Sequence, residues 1–249
     1  MSTDASLWPE GVDRIVLETV DSTMAEAGRL ARELDRPTWI LGLNQTDARG
    51  RRGRPWRHPE GNFAATFVYR PACTPAEAAL RSFLAANALF ETLALFVERE
   101  ALGLKWPNDV LLHGGKVAGI LLESSGAGRF VDWLSVGIGV NLAKVPPDDG
   151  GDFPPVSLFD QGGEPVTPEA FLEPLATNFA TQEAILAEFG FSQVRESWLR
   201  HAARLGEIIT ARTGTGEITG TFETIDEMGN LILATPQGRE AVAAADIYF

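Results

Sequence analysis

The sequence predicts an α+β fold with a mixed, largely antiparallel sheet and packed helices, followed by a small all-β barrel. Two observations favour this fold class. Up to residue 204, strand-like and helix-like segments follow one another without the regular strand–helix–strand alternation of a parallel sheet. From Gly206 onward, short β-rich runs are separated by the turn sequences TGTG, DEMGN and PQG. We therefore expect a main domain over residues 1–204 and a second domain over residues 205–249.

The main domain begins with two predicted strands and a helix between them. Residues 14–19 and 38–43 have strand composition, and residues 24–34 are rich in helix-forming residues. Thr23 followed three residues later by Glu26 fits a capping box. We therefore expect the Thr23 side chain to cap this helix.

A long polar loop, residues 45–62, comes next, and residues 63–69 return to strand composition. A loop of that length inside a domain is usually functional. Thr74 and Glu77 form a second capping box with a proline at the first helical position. The apolar helix that it opens is expected to run to about Glu100.

Residues 104–123 have the composition of strands around a hairpin turn at Gly114 and Gly115. The segment rich in proline, glycine and aspartate that follows residue 142 is expected to be a surface connection. This connection covers residues 143–168, and a strand region over residues 130–142 precedes it. Two helices are expected after it, over residues 169–189 and 192–204.

Composition excludes several classes of protein. The chain has 249 residues with Lys+Arg 21 against Asp+Glu 34, a net charge of -13, so a general nucleic-acid-binding surface is not expected. A single cysteine, Cys73, excludes an internal disulfide framework and a Cys-rich zinc site. The N-terminus lacks the features of a signal peptide, and no apolar stretch is long enough to cross a membrane. These features predict a cytoplasmic globular protein.

Positive charge is concentrated in the loop sequence DARGRRGRPWR, where five arginines stand within nine residues, from Arg49 to Arg57. Glycines let backbone N–H groups approach an anion, and arginine offers planar, permanently charged donors to phosphate or carboxylate. Trp56 could stack on a flat heterocycle. The loop therefore predicts a local anion site. The alternatives are an RNA-binding Arg/Gly loop or a solvated loop without a ligand.

A second candidate element is the sequence KWPND with the strand GKVAGILLE that follows it. Lys116 lies among apolar residues, which favours a specific partner for its charge. Asp109 and Glu123 are candidate magnesium ligands, because magnesium uses one or two carboxylates together with substrate phosphates. The alternative is a hairpin whose charged residues form ordinary surface pairs.

Two shorter elements complete the set. Asp21, Ser22 and Thr23 stand at a helix start, where they either cap the helix or bind a polar ligand. The strand sequence SVGIGVNL contains Gly137 and Gly139, and glycines inside a strand mark a bulge or a close approach by a ligand or another backbone.

Together these elements resemble the biotin protein ligases. The resemblance covers roughly residues 15–142, and the β-rich tail is similar to the SH3-like C-terminal domain of that family. The motifs that carry it are DST at 21–23, Gln45, the run from Arg49 to Trp56, KWPND at 105–109, KVAGIL at 116–121 and GIGVN at 137–141.

The resemblance implies a class II synthetase-like catalytic domain that uses ATP and Mg²⁺ to form biotinyl-5′-AMP. It then implies transfer of biotin to one lysine of a biotin carboxyl carrier protein, such as that of acetyl-CoA carboxylase. Lys116 and Arg51 would be catalytic, and Asp109 would be on the metal side. The residues that would bind biotin or the nucleotide are Ser22, Thr23, Met24, Gln45, Arg49, Gly50, Arg51, Trp56, Asn108, Lys116, Gly119, Gly137 and Gly139.

Two departures from the family pattern stand out. Ala48 occupies the position where the family's arginine loop usually begins with glycine. Only about fourteen residues precede the first strand, too few for the DNA-binding domain of family members that act as repressors, so DNA binding is not expected. The sequence leaves the oligomeric state open, a homodimer included. The alternative functions are a lipoate or octanoate ligase or transferase of the same broad fold, and a non-catalytic RNA-binding protein.

Overall fold

The computed structural model describes residues 8–147, 153–214, 216–243 and 245–248. Seven strands form the first sheet in the order β1-β2-β3-β7-β6-β5-β4. These strands are β1 (Asp13–Leu17), β2 (Thr38–Gly42), β3 (Phe63–Tyr69), β4 (Leu102–Lys105), β5 (Asp109–Leu112), β6 (Gly115–Ser125) and β7 (Trp133–Val140). Strands β1 and β2 pair in parallel, and the other neighbours are antiparallel, which confirms the predicted fold class.

Five α-helices are present in the described ranges: α1 (Thr23–Leu30), α2 (Pro75–Ala79), α3 (Arg81–Leu93), α4 (Pro168–Phe189) and α5 (Phe191–Arg200). Helices α3 and α4 cover one face of the first sheet. Alternate residues of β3 point to this face, and the rings of Phe63 and Phe67 meet those of Phe171 and Phe179 at 5.1 and 5.0 Å. Helix α1 lies on the opposite face, against β3 and β7. No helix in the described parts of the chain combines the length and hydropathy that a membrane span requires.

The two predicted capping boxes have opposite outcomes. Thr74 and Glu77 form one, with the Glu77 amide donating to Thr74 Oγ1 and the Thr74 amide donating to Glu77 Oε2 at 2.7 Å. The prediction for Thr23 is wrong: Ser22 is the N-cap of α1, and the Thr23 hydroxyl donates to Gln45 Oε1 instead. The helix predicted to reach Glu100 is divided into α2 and α3 and ends at Leu93.

Two expectations about connections also need correction. The hairpin between β5 and β6 turns at His113 and Gly114, which have φ of +48° and +81°, one residue earlier than predicted. The connection after residue 142 is not confined to the surface, since Leu158 is 1% exposed and Pro155 bridges to Lys116 of β6. Residues 148–152 of this connection lie outside the described ranges.

The second sheet is antiparallel, in the order β11-β10-β9-β8-β12. Its strands are β8 (Ile208–Arg212), β9 (Glu217–Ile225), β10 (Leu231–Thr235), β11 (Gly238–Val242) and β12 (Asp246–Tyr248). The two sheets share one hydrophobic core, in which Trp198 of α5 packs against Phe222 of β9. Between the sheets, the buried Trp106 donates a hydrogen bond from Nε1 to the Gly229 carbonyl at 3.0 Å. The turn that follows β4 is thereby tied to the second sheet.

Candidate functional site

A row of five residues crosses the face of the first sheet that α1 only partly covers. Lys105 pairs with Asp109, Asp109 with Gly119, Gly119 with Gly139 and Gly139 with Ala64. Side chains of directly paired residues project to the same face. Small residues in three of the five positions leave an open floor, and charged side chains stand at one end of it.

A β-bulge brings Lys116 to this floor. Lys116 and Gly119 lie three positions apart, and in a regular strand that spacing would point their side chains to opposite faces. The register shifts by one at this point, because Val110 pairs with Ala118 and Leu111 pairs with Lys116, which leaves Val117 as an extra residue. Lys116 therefore faces the same side as Asp109.

Two lysines flank the Asp109 carboxylate. Lys116 Nζ lies 2.8 Å from Oδ1, and Lys105 Nζ lies 3.8 Å from Oδ2. The Lys105 side chain is 8% exposed and the Lys116 side chain 32%. Lys116 Nζ also lies 5.6 Å from the centre of the Trp56 ring, within cation–π distance. The lysine ammonium groups and the carboxylate are thus held together above the glycine floor.

The strand glycines make room for protein side chains. A Cβ atom at Gly139 would lie 2.6 Å from the Trp56 indole, and one at Gly137 would lie 2.7 Å from Met24 Sδ. Both distances are shorter than real contacts allow, so the indole and the thioether occupy the space that these glycines leave. The sequence predicted a bulge or a close approach by a ligand or another backbone, whereas the structure places protein side chains against these glycines.

The other end of the floor is lined by neutral polar groups. The Thr23 amide and hydroxyl both donate to Gln45 Oε1, at 2.8 and 3.2 Å, and Thr66 Oγ1 donates to Thr23 Oγ1 at 2.9 Å. Ser22 is 5% exposed and Thr23 3%. The first turn of α1 therefore delivers hydroxyl and amide groups that can bind a polar but uncharged ligand group.

The arginine loop folds back over this floor as a short hairpin. The Trp56 amide donates to the Ala48 carbonyl at 2.8 Å, and the Gly50 amide donates to the Arg54 carbonyl at 2.7 Å. At its tip, Arg52 has a left-handed backbone with φ of +57°. Ala48 is not among the non-glycine residues with positive φ, so the residue that departs from the family pattern needs no left-handed conformation.

Two arginines tie the loop to the first sheet. Arg49 Nη2 lies 3.0 Å from Glu123 Oε1, and Arg51 Nη1 donates to Asn108 Oδ1 at 3.0 Å. Asn108 in turn donates to the Ile120 carbonyl at 2.6 Å. Glu123 lies four residues along β6 from Gly119, about 13 Å at the usual rise of a strand. The structure therefore separates Glu123 from Asp109, and the two carboxylates do not form the shared magnesium site that the sequence suggested.

Two groups beside the site have shifted pKa values. Hydrogen bonds from Arg29 hold the pKa of the Asp21 carboxyl well below its usual range, so this residue next to Ser22 stays ionised. Burial lowers the pKa of His58, which follows the arginine loop and whose Nε2 lies 3.3 Å from the Leu43 carbonyl. A neutral His58 adds no positive charge to this region.

These elements enclose a cavity of about 230 Å³. The residues that the family resemblance marked for biotin, nucleotide or metal binding all line it, whereas Glu123 does not: Ser22, Thr23, Met24, Gln45, Arg49, Gly50, Arg51, Trp56, Asn108, Asp109, Lys116, Gly119, Gly137 and Gly139. The cavity joins a neutral hydrogen-bonding end to a cationic middle under an arginine-rich loop.

Comparison with known families places the chain. The model of the biotin/lipoate A/B protein ligase family matches residues 16–141, about half of the chain. This chain belongs to that family. The model of the biotin protein ligase C-terminal domain matches residues 205–249, which contain the second sheet.

Individual members of the biotin/lipoate ligase family agree with this placement. The chain is 52% identical over 239 residues to a biotin–[acetyl-CoA-carboxylase] ligase from Paracoccus denitrificans, covering 94% of this chain and 99% of that protein. It is 30% identical to the bifunctional ligase/repressor BirA of Bacillus subtilis, covering 95% of this chain and 74% of that one. A biotin protein ligase from Aquifex aeolicus, solved with biotin and ATP, superposes with a TM-score of 0.78 at 25% identity, covering 94% of this chain and 97% of that one.

Sequence reasoning missed several residues that line the cavity. Lys105 belongs to a motif that the family resemblance used, yet no role was assigned to it. Phe153 and Pro155 come from the connection after β7, and Ala245 directly precedes strand β12 of the second sheet. Lys105 Nζ lies 4.5 Å from the centre of the Phe153 ring. No local sequence pattern marks Phe153, Pro155 or Ala245, because long-range folding brings them to the site.

Oxygen ligands for a magnesium ion are present beside the floor. Asp109 supplies a carboxylate, and Asn141 Oδ1 is buried without a hydrogen-bond partner among the described residues. Both residues line the cavity. In the described part of the chain, no cluster of three or more His, Cys, Asp or Glu residues could hold a metal by itself. This donor set suits magnesium, which takes few protein oxygens and completes its shell with phosphates and water.

Proposed function

We propose that this protein is a biotin protein ligase, which activates biotin with ATP as biotinyl-5′-AMP and transfers it to a lysine of a biotin carboxyl carrier protein. One observation carries the proposal: a single cavity joins a neutral hydrogen-bonding end, at Thr23 and Gln45, to a cationic middle at Lys116. Biotin has the matching layout, with a polar uncharged ring head at one end and a carboxylate at the other. The Paracoccus relative, whose printed name is that of such a ligase, supports the same activity.

The polar end would bind the biotin ring system. Ser22, Thr23 and Gln45 supply hydroxyl and amide groups there, and Met24 with Gly137 forms an apolar wall beside them. Such a pairing of a buried polar head with polar protein groups gives strong selection, because a ligand without the head leaves those groups unpaired. We therefore assign ring recognition to this end.

Activation would take place at Lys116. A biotin carboxylate oxygen attacks the α-phosphorus of ATP, a C–O–P bond forms, and the bond to the β-phosphate oxygen breaks, which releases pyrophosphate. Lys116 Nζ, now held by Asp109 at 2.8 Å, would neutralise charge on the carboxylate and on the reacting phosphate. Two anions must approach each other in this step, so alignment and charge neutralisation are the main requirements.

The nucleotide would lie beneath the arginine loop. Arg51 offers two parallel donors to a phosphate, and Arg49 and Gly50 belong to the same hairpin. Trp56 would supply an aromatic face for the adenine, and Asn108 lines the same cavity. Bound magnesium would be held by Asp109 and Asn141 Oδ1, and it would neutralise charge on the ATP phosphates.

Transfer to the carrier completes the reaction. The neutral amine of the carrier lysine attacks the acyl carbon of biotinyl-5′-AMP and an amide bond forms. AMP leaves with the electron pair of the broken anhydride bond, and the amine nitrogen loses one proton to water. Until that lysine arrives, the closed arginine loop would shield the adenylate from water and from other amines.

Net charge, the single thiol and the sheet edge bear on DNA binding, compartment and oligomeric state. The net charge of -13 supports an absence of DNA binding. The free thiol of Cys73 fits a reducing compartment such as the cytoplasm. Strand β1 lies at an edge of the first sheet, where sheets of two chains can join, and we propose a homodimer through this edge, which sedimentation velocity tests.

The decisive experiment mixes the protein with biotin, ATP-Mg²⁺ and a biotin carboxyl carrier domain, and measures the intact mass of the carrier. We expect the mass to rise by one biotinyl group, and we expect no change when the acceptor lysine of the carrier is replaced by arginine. Lipoate and octanoate serve as parallel substrates. Modification by either of these, with none by biotin, would replace the proposal with the lipoate-ligase alternative.

A further inference from the structure

The polar end of the cavity depends on a hydroxyl that does not itself line it. Thr66, in the middle of β3, is fully buried and pairs with Ile40 on one side and Gly137 on the other. Its Oγ1 lies 2.9 Å from Thr23 Oγ1. Thr66 is not among the residues around the cavity.

Two glycines allow this contact. A Cβ atom at Gly42 would lie 2.9 Å from Thr23 Cγ2, and a Cβ at Gly137 would lie 2.7 Å from Met24 Sδ. Since neither residue has a side chain, the first turn of α1 can pack directly on β2, β3 and β7. Thr23 is thereby placed between Gly42 and Thr66.

The direction of the hydrogen bonds follows from counting protons. The Thr23 backbone N–H can only donate, so the group that it meets at 2.8 Å is the oxygen of the Gln45 amide and not its nitrogen. The Thr23 hydroxyl has one proton and gives it to the same oxygen at 3.2 Å. Thr66 then supplies the donor for Thr23 Oγ1, which forms a chain from Thr66 through Thr23 to Gln45.

We propose that Thr66 is a positioning residue that selects the biotin ring: its hydroxyl fixes the Thr23 hydroxyl toward Gln45, so that the Gln45 amide presents N–H donors to a ring carbonyl. This proposal rests on the proposed function. A fixed arrangement of buried donors favours a ligand that can accept from them and disfavours a purely apolar acyl chain such as octanoate. Thr66 acts only through Thr23 and Gln45.

The test compares Thr66→Val, which keeps the shape and loses the hydroxyl, with Thr66→Ser, which keeps the hydroxyl. Pyrophosphate release gives KM and kcat for biotin and for ATP. For Thr66→Val we expect KM for biotin to rise about three- to tenfold, the effect of one net hydrogen bond. We expect kcat and KM for ATP to change less than about twofold, and Thr66→Ser to behave like the wild type. Desthiobiotin keeps the ring carbonyl and both N–H groups, so its KM should rise in Thr66→Val by the same factor as the KM for biotin.

Thr66→Ala removes the same hydroxyl without adding a methyl group, and it replaces Thr66→Val if that variant does not fold. An unchanged KM for biotin in an active variant overturns the role of Thr66 alone. So does an equal rise in both KM values, or a Thr66→Ser variant as impaired as Thr66→Val, because these results indicate a packing effect. Failure of the wild type to release pyrophosphate with biotin overturns the proposed function itself.

Discussion

Lys116 shows how one extra residue in a strand can create a chemical site. Without the bulge at Val117, its side chain would point to the face that α3 and α4 cover. With the bulge, the ammonium group lies between the Asp109 carboxylate and the Trp56 ring. The residue type and its neighbours could be recognised in the sequence, but the change of face could not, because alternation along a strand gives the opposite direction.

Lys116→Ala is expected to slow adenylate formation about 10²–10³-fold, by analogy with the loss of one preorganised charge contact. Folding should be little affected, because the side chain is 32% exposed and Lys105 still lies beside Asp109. Pyrophosphate release measures the rate of adenylate formation, and a thermal melt measures the stability of the fold. Lys144→Ala is the control, since that lysine is 59% exposed and forms a long ion pair with Glu60 at 4.0 Å. Near-normal adenylate formation by Lys116→Ala would remove this lysine from the mechanism.

Arg51→Gly is expected to form adenylate but to release it early. The substitution removes the donor that now meets Asn108 and adds backbone freedom to the loop, while Lys116 stays in place. Released biotinyl-5′-AMP acylates exposed lysines of unrelated proteins, so serum albumin should become labelled on a streptavidin blot. Arg51→Lys keeps the charge without the planar pair of donors and should give intermediate labelling. A mutant that makes adenylate and labels albumin no more than the wild type would show that Arg51 is not the retaining group.

At the scale of elements, the arginine loop contains a contact that its sequence does not reveal. Glycine content and repulsion among arginines predict a loop that is mobile without ligands, and in the structure residues 48–56 form a hairpin whose Arg49 pairs with Glu123. Nothing in the local sequence names Glu123 as that partner, because the two residues lie 74 positions apart. An exposed ion pair of this kind is worth about 0.2–1 kcal/mol, so it can hold the loop only in part.

Glu123→Gln should therefore open the loop in the free protein. Trypsin is expected to cut the free wild type slowly after arginines within residues 49–57. It should cut Glu123→Gln there up to about fivefold faster. Biotin with ATP should slow the cleavage of both proteins. Glu217→Gln is the matched control, because it removes an ion pair of similar exposure with Arg212 in the second sheet. Equal cleavage with and without the two ligands would contradict ligand-induced ordering, and equal cleavage of Glu123→Gln and wild type would contradict the role of the ion pair.

At the scale of the whole molecule, the sequence predicted the fold class and the lining residues better than the connections between parts. Motifs that follow one another along β5, β6 and β7 meet because antiparallel neighbours place them side by side, and such neighbours are predictable. Phe153, Pro155 and Ala245 reach the cavity across long sequence separations, and their positions depend on packing that no periodic pattern records. The same holds for Trp106, whose place in the KWPND motif does not indicate its hydrogen bond to the second sheet.

Trp106 is the residue through which the second sheet should influence the reaction. Its indole donates to the Gly229 carbonyl across the junction of the two sheets, and it stands two residues before Asn108, where Arg51 is bound. Trp106→Phe keeps most of the buried ring but leaves that carbonyl without its donor, which costs about 1–3 kcal/mol in the free energy of unfolding. The turn that carries Asn108 and Asp109 should also lose its fixed position.

We therefore expect Trp106→Phe to melt at a lower temperature and to raise KM for ATP more than KM for biotin. The biotin ring would bind at the α1 end of the floor, whereas Asn108 and Asp109 belong to the nucleotide end. Trp133→Phe makes the same change at the start of β7, away from the second sheet, and should leave both KM values unaltered. If Trp106→Phe lowers the melting temperature while both KM values stay at wild-type levels, the link between the sheets serves stability alone and does not position the nucleotide end.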